Sequence, residues 1–190
     1  MAIQRRPLDL EAFLALPERK PVLEFVDGVV TQKVAPRPRH SRLQGKLVER
    51  FNVYAEPREL ALAFPELRAT FSGQSHVPDV SLYRWERLPV DADGAFLEEC
   101  REPPDLAIEI ISPGQSVTRL LQTCLWYVEH GVQIALLIDP RERAIIALRP
   151  GGQIQAYRRV GRIDLSAVLA GFTLDVADLF NSLHVPRPRS

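Results

Sequence analysis

Two spacings of apolar residues alternate along the chain, one helical and one strand-like, and proline or glycine separates them. Leu8 to Leu16 reads as a short amphipathic helix stopped by Pro17. Val22–Val26 and Val29–Val34 flank Asp27-Gly28, a dipeptide that favours a two-residue hairpin. Pro36 and Pro38 break the second run. Ser41 can cap a helix in which Leu43, Leu47, Phe51 and Tyr54 recur at spacings of three and four. Short β-like runs follow at Leu60–Phe64, Leu67–Phe71 and Val80–Tyr83, and residues 86–103, rich in acids and prolines, read as a surface excursion.

Beyond Pro103-Pro104 the chain turns strongly apolar. Leu106–Ile111, interrupted only by Glu109, predicts a buried central strand. Pro113-Gly114 ends it, and a helix from about Val117 to Glu129 follows, closed by Gly131. Val132–Ile138 predicts another buried strand. Asp139-Pro140 and Pro150-Gly151-Gly152 turn the chain through Ala144–Leu148 and Ile154–Tyr157, and a small helix is expected near Val176–Leu183. A strand–helix–strand unit among hairpins implies an α/β fold, a mixed β-sheet flanked by helices with β-hairpin additions. With no repeat and no long linker, residues 1–190 read as one domain with its core at about 8–183 and a disordered tail at 184–190.

Composition narrows the function. The 190 residues carry 24 basic and 24 acidic side chains, so any nucleic-acid contact must use a local patch, not a global field. Cys100 and Cys124 form no metal-ligand pattern and suggest a reducing, cytoplasmic setting. Arg5, Arg6, Asp9 and Glu11 interrupt any signal-peptide core, and no apolar run reaches membrane-spanning length, so no membrane partner is expected. There is no Gly-rich phosphate loop, Gly-x-Ser-x-Gly elbow or His/Cys zinc spacing.

The candidate chemistry lies with two acids. Glu109 interrupts the most apolar strand, and a buried carboxylate is normally paired, hydrogen-bonded, metal-bound or neutral. Strand alternation sets Asp105, Ala107, Glu109 and Ile111 opposite Leu106, Ile108 and Ile110. The plain reading is a salt bridge to one of the arginines. Asp79, after Pro78, taken alone is a turn or cap residue; together with Glu109 it makes an oxygen-rich pair of the kind that binds Mg²⁺.

Read in order, Leu23-Glu24-Phe25-Val26-Asp27-Gly28, Pro38-Arg39-His40-Ser41, Pro78-Asp79-Val80, Pro104-Asp105-Leu106-Ala107-Ile108-Glu109-Ile110-Ile111-Ser112-Pro113, Tyr127-Val128-Glu129-His130-Gly131-Val132, Ile138-Asp139-Pro140 and Leu169-Ala170-Gly171-Phe172 form a set. This set resembles the bacterial family of putative restriction endonucleases, a branch of the PD-(D/E)XK nuclease superfamily. The resemblance implies a restriction endonuclease-like core and hydrolysis of DNA phosphodiester bonds with Mg²⁺ or Mn²⁺. By position, Asp79 matches the metal-binding aspartate, Glu109 the acid of the second motif, and Glu24 and His40 line the same cleft. The resemblance also implies a lysine, and here the sequence departs: Ile111 stands two after Glu109, and Thr123 occupies the alternative position on the following helix, four before Tyr127. Lys20, Lys33 and Lys46 are the only lysines, all earlier in the chain; Arg119 or Lys46 could substitute for the missing cation.

Arg39, Arg42 and Lys46, around His40, form the densest basic stretch and are candidate DNA-backbone contacts, with a solvated helix start as the plain alternative. Pro186-Arg187-Pro188-Arg189 reads as a loose end. Trp126 and Tyr127 read as packing residues, and Cys124 as a small buried hydrophobe. Three functions stay open: a metal-dependent endonuclease; a nuclease fold without turnover that binds nucleic acid or another partner, motivated by Thr123; and a structural homodimer. A two-fold homodimer also suits an enzyme that cuts both strands.

Overall fold

Asp27 and Gly28 sit at φ of 51° and 76°, both in the left-handed region, and turn β1 (Leu23–Val26) back into β2 (Val29–Gln32). The computed structural model describes residues 8–185. The run preceding Leu8 and the tail from Pro186, with its arginines, lie outside the described residues. Ahead of the hairpin, Asp9 caps α1 (Leu10–Leu14) by accepting from the Ala12 amide.

α2 spans Pro38–Ala55 and begins three residues earlier than Ser41. Pro38 opens the helix instead of breaking the chain, because the first helical turn needs no amide donor and proline presets its φ. His40 therefore belongs to the first turn of α2 and does not precede it. β3 (Ala61–Pro65), β4 (Ala69–Phe71), β5 (Gln74–His76) and β6 (Val80–Arg84) follow. β5 escapes sequence reading because Gln74-Ser75-His76 contains no apolar residue, yet all three are buried.

β7 (Leu106–Ile110), α3 (Val117–Glu129) and β8 (Ile134–Asp139) make the strand–helix–strand unit. Ser116 accepts from the Arg119 amide at the start of α3, and Gly131, at φ +106°, lets the chain leave its end. β9 (Ala144–Arg149), β10 (Gln153–Arg158), β11 (Arg162–Asp164), β12 (Thr173–Asp175) and α4 (Val176–Asn181) complete the chain.

The main sheet has six strands in the order β10-β9-β8-β7-β6-β3, of which β7 and β8 pair in parallel. A four-stranded antiparallel sheet, β2-β1-β5-β4, stands beside it, and β11 and β12 pair separately. The core divides as alternation along β7 requires. Leu106, Ile108 and Ile110 pack with Leu43, Leu47 and Phe51 of α2 and with Leu179 and Phe180 of α4. Ala107 packs on the other face with Ala135, Leu137, Phe71, and Cys124 and Tyr127 of α3. Each fully buried leucine or isoleucine contributes about 1.5–3 kcal/mol by leaving water, and this anchors the middle strands firmly enough to carry costly charges at their ends.

The arginine pairing weighed as the plain reading of Glu109 occurs instead at Asp105, four residues upstream. Asp105, fully buried, accepts from Arg84 Nε at 3.0 Å and Arg87 Nη1 at 2.6 Å. Its other oxygen takes the Arg84 amide at 2.9 Å.

A carboxylate and lysine cluster as candidate active site

β6 and β7 run antiparallel with Val80 opposite Ile108, so continuing the register by one residue sets Asp79 across from Glu109. Both side chains are buried. Asp79 Oδ2 accepts from the Ile110 amide at 2.7 Å and lies 2.9 Å from His40 Nε2. One helical turn on, Gln44 Nε2 donates to the Asp79 carbonyl at 2.9 Å. Two contacts from α2 thus fix the residue. Glu109 Oε1 accepts from the Tyr127 hydroxyl at 2.8 Å, across from α3.

The remaining oxygens face a single nitrogen. Lys33 Nζ donates to Asp79 Oδ1 at 2.7 Å, to Glu109 Oε2 at 3.3 Å and to the Val77 carbonyl at 2.7 Å. Its amide, bonded to the Val22 carbonyl, extends the β1–β2 ladder by one step. Glu24 pairs with Thr31, so Glu24 and Lys33 share a face of the hairpin. Glu24 Oε1 holds the Val77 amide at 2.8 Å. The hairpin thus grips Val77, two residues before Asp79, through both its amide and its carbonyl.

Opposing effects set the protonation states. Burial pushes Glu109 up to about 8, with Lys33 pulling the other way and the neighbouring acids adding to the rise. Burial also works to raise Asp79, but Lys33 and His40 together hold it below its ordinary value. Glu24 is raised, chiefly by burial. Burial favours neutral Lys33, yet Glu109, Asp79 and Glu24 outweigh it and keep the ammonium firmly charged. Tyr127 is raised, by burial first and then by Glu109, so its hydroxyl stays a donor.

Among the described residues, no three His, Cys, Asp or Glu side chains make a ready-made metal cage. Two hard oxygens, Asp79 Oδ1 and Glu109 Oε2, nevertheless converge on a cation already, that of Lys33. That donor set fits Mg²⁺ or Mn²⁺, because Mg²⁺ commonly takes one or two carboxylates and fills its shell with water and phosphate oxygens.

Of the residues singled out in the sequence, Glu24, His40, Asp79 and Glu109 meet in this cluster. Arg119 does not: it is exposed and makes no side-chain bond to either acid. Thr123 turns its hydroxyl back to the Arg119 carbonyl at 3.2 Å. Lys46 pairs with Glu49 at 2.7 Å on the outside of α2. Arg39 is exposed, and Arg42 donates to the Ser182 carbonyl at 3.0 Å. Two members were missed by the sequence reading. Tyr127, read as packing, does pack, but its hydroxyl serves Glu109. Lys33 could have been found from the hairpin register, which sets it on the Glu24 face of a chain with three lysines.

A mixed sheet with facing acids on two central strands and a lysine beside them defines a restriction endonuclease-like fold. The chain belongs to the family described as putative restriction endonuclease, whose model matches residues 10–177. The crystal structure of a putative nuclease belonging to DUF820 from Anabaena variabilis ATCC 29413 superposes with a TM-score of 0.90 at 35% identity, covering 94% of this chain and all of that one. A DrdV–DNA complex aligns at a TM-score of 0.39 and 15% identity, over 75% of this chain and 12% of that one. Comparison with curated proteins returns no match.

Proposed function

We propose that the protein is a Mg²⁺- or Mn²⁺-dependent endonuclease of the restriction type that hydrolyses DNA phosphodiester bonds. The observation that carries this reading is the convergence of Asp79 Oδ1 and Glu109 Oε2 on one cationic point at the end of paired central strands. A bound divalent ion there supplies a more acidic water and neutralises charge on the scissile phosphate. The chain's own residues prepare the place. His40 and the Ile110 amide hold one oxygen of Asp79, and Tyr127 holds one oxygen of Glu109, so each acid keeps its second oxygen turned inward. This fixed orientation would let the carboxylates hold a divalent ion without reorganising. Exposed Arg39 and its neighbour Arg42, at the start of α2, would meet the DNA backbone in this reading. Two buried free cysteines support a reducing, cytoplasmic setting, and a homodimer would present one site to each strand.

The alternative of a nuclease fold without turnover rested on Thr123. Its motive weakens once the ammonium of Lys33, the residue after β2, reaches both acids.

Purified protein incubated with supercoiled and linear DNA in Mg²⁺ or Mn²⁺ is expected to nick the DNA. Asp79→Ala and Glu109→Ala each lower the rate by about 10²-fold or more, the scale of losing a preorganised charge-stabilising group. Intact DNA retarded on a gel would replace this reading with nucleic-acid binding alone. Intact DNA with no retardation at low salt would leave the structural homodimer.

A further inference from the structure

We infer that Lys33, at the end of the β1–β2 hairpin, is the catalytic lysine of this site, supplied from a strand in place of the cation that Thr123 does not provide on α3. The inference rests on the nuclease reading and assigns the one role that reading leaves unfilled.

The other two lysines are elsewhere: Lys20 is exposed and Lys46 is paired with Glu49. Glu109 is approached from two sides. Tyr127, one turn beyond Thr123 on α3, takes Oε1, while Lys33 takes Oε2 from the hairpin. Helix and hairpin thus converge on one carboxylate. A long flexible stem ending in a compact charge suits such a change of origin, whereas the rigid fork of an arginine does not.

A purely structural ion pair accounts poorly for the cluster. Three buried acids gather at one ammonium, which Asp79 and Glu109 touch directly while Glu24 holds the Val77 amide beside it, more acid than a single structural ion pair requires. Lys33 is also anchored independently of the acids, since one of its protons goes to the Val77 carbonyl. Its contact with Glu109, at 3.3 Å, is the longest of the three and the least costly to exchange for a phosphate oxygen. In the reaction the oxygen of a water bonds to phosphorus as the P–O bond to the leaving strand breaks. One water proton ends on the leaving oxygen and the other on the new phosphate monoester. Lys33 keeps its protons throughout and donates a hydrogen bond to the phosphate as negative charge builds.

The test combines nicking assays, Mn²⁺ titration and thermal unfolding on wild type, Lys33→Met, Lys33→Arg and Lys33→Met/Thr123→Lys. Lys33→Met is expected to cut about 10²-fold more slowly, in line with loss of one charge-stabilising donor. It should bind Mn²⁺ at least as tightly as wild type, because the ammonium no longer competes for the two oxygens. Adding Thr123→Lys should recover about tenfold or more of the lost rate. The inference is overturned by a Lys33→Met variant that cuts like an active wild type, by one that folds but no longer binds Mn²⁺, or by a double variant no faster than the single. If Lys33→Met does not fold, the other two variants decide. A folded but inactive double variant overturns the assignment. A slow, folded Lys33→Arg or an active double variant supports it. A wild type that leaves DNA intact sinks the nuclease reading together with this inference, an outcome distinct from active wild type with unimpaired Lys33→Met.

Discussion

His76 is buried against the Trp126 ring at 4.6 Å and meets Tyr127 edge-on at 5.2 Å, with Nε2 2.8 Å from Gln74 Oε1. Burial first, and the nearby Lys33 and His130 charges next, lower its pKa to about 4. Unfolding restores an ordinary imidazole, so the unfolded chain binds more protons between about pH 6.5 and 4. The stability His76 contributes is therefore complete above pH 6.5 and is lost as pH falls through that window. Urea titrations should show wild type losing about 2 kcal/mol more than His76→Gln between pH 7 and pH 5. An equal loss in both proteins would contradict a buried neutral imidazole. At this scale the sequence singled out the acids that meet in the cluster but not their partners. Glu109 stood out because it breaks an apolar strand. Lys33 and Tyr127 did not, since each reaches Glu109 across a gap in sequence that no local period records.

The β1–β2 hairpin is the element on which the cluster depends most. Its two-residue turn fixes the register, and the register alone puts Glu24 and Lys33 on one face. Inserting one alanine between Val30 and Thr31 turns Lys33 to the opposite face. Nicking should fall as far as in Lys33→Met while the main sheet still unfolds cooperatively, as circular dichroism and activity measured together would report. Retained activity would mean that the hairpin does not set the site. Elements with both a period and punctuation were legible: α3 was anticipated at Val117–Glu129 and spans those residues, with Ser116 at one end and Gly131 at the other. The sequence places the start of α2 too late because Pro38 reads as a breaker, although proline suits a first helical turn. β5, β11 and β12 were not anticipated, β5 being wholly polar and β11 and β12 carrying one apolar residue each.

At the scale of the whole molecule, balanced charge sets the terms on which DNA can be held. With formal net charge zero, affinity must come from a few local contacts and not from a long-range field. Replacing Arg39 and Arg42 with alanine should flatten the dependence of log affinity on log salt by about two units if each arginine meets one phosphate. Fluorescence anisotropy at several salt concentrations measures this, and an unchanged slope removes α2 from the interface. The fold class was legible from the alternation of strand and helix patterns. The facing of Asp79 and Glu109 was not, because it depends on the pairing register of β6 and β7 across a long excursion. The six side chains of the cluster run from Glu24 to Tyr127 and come from the strands, or strand ends, of the two larger sheets and from two helices. A fragment cut short of Tyr127 consequently lacks the hydroxyl that holds Glu109, so the centre is complete only once residue 127 has joined the fold.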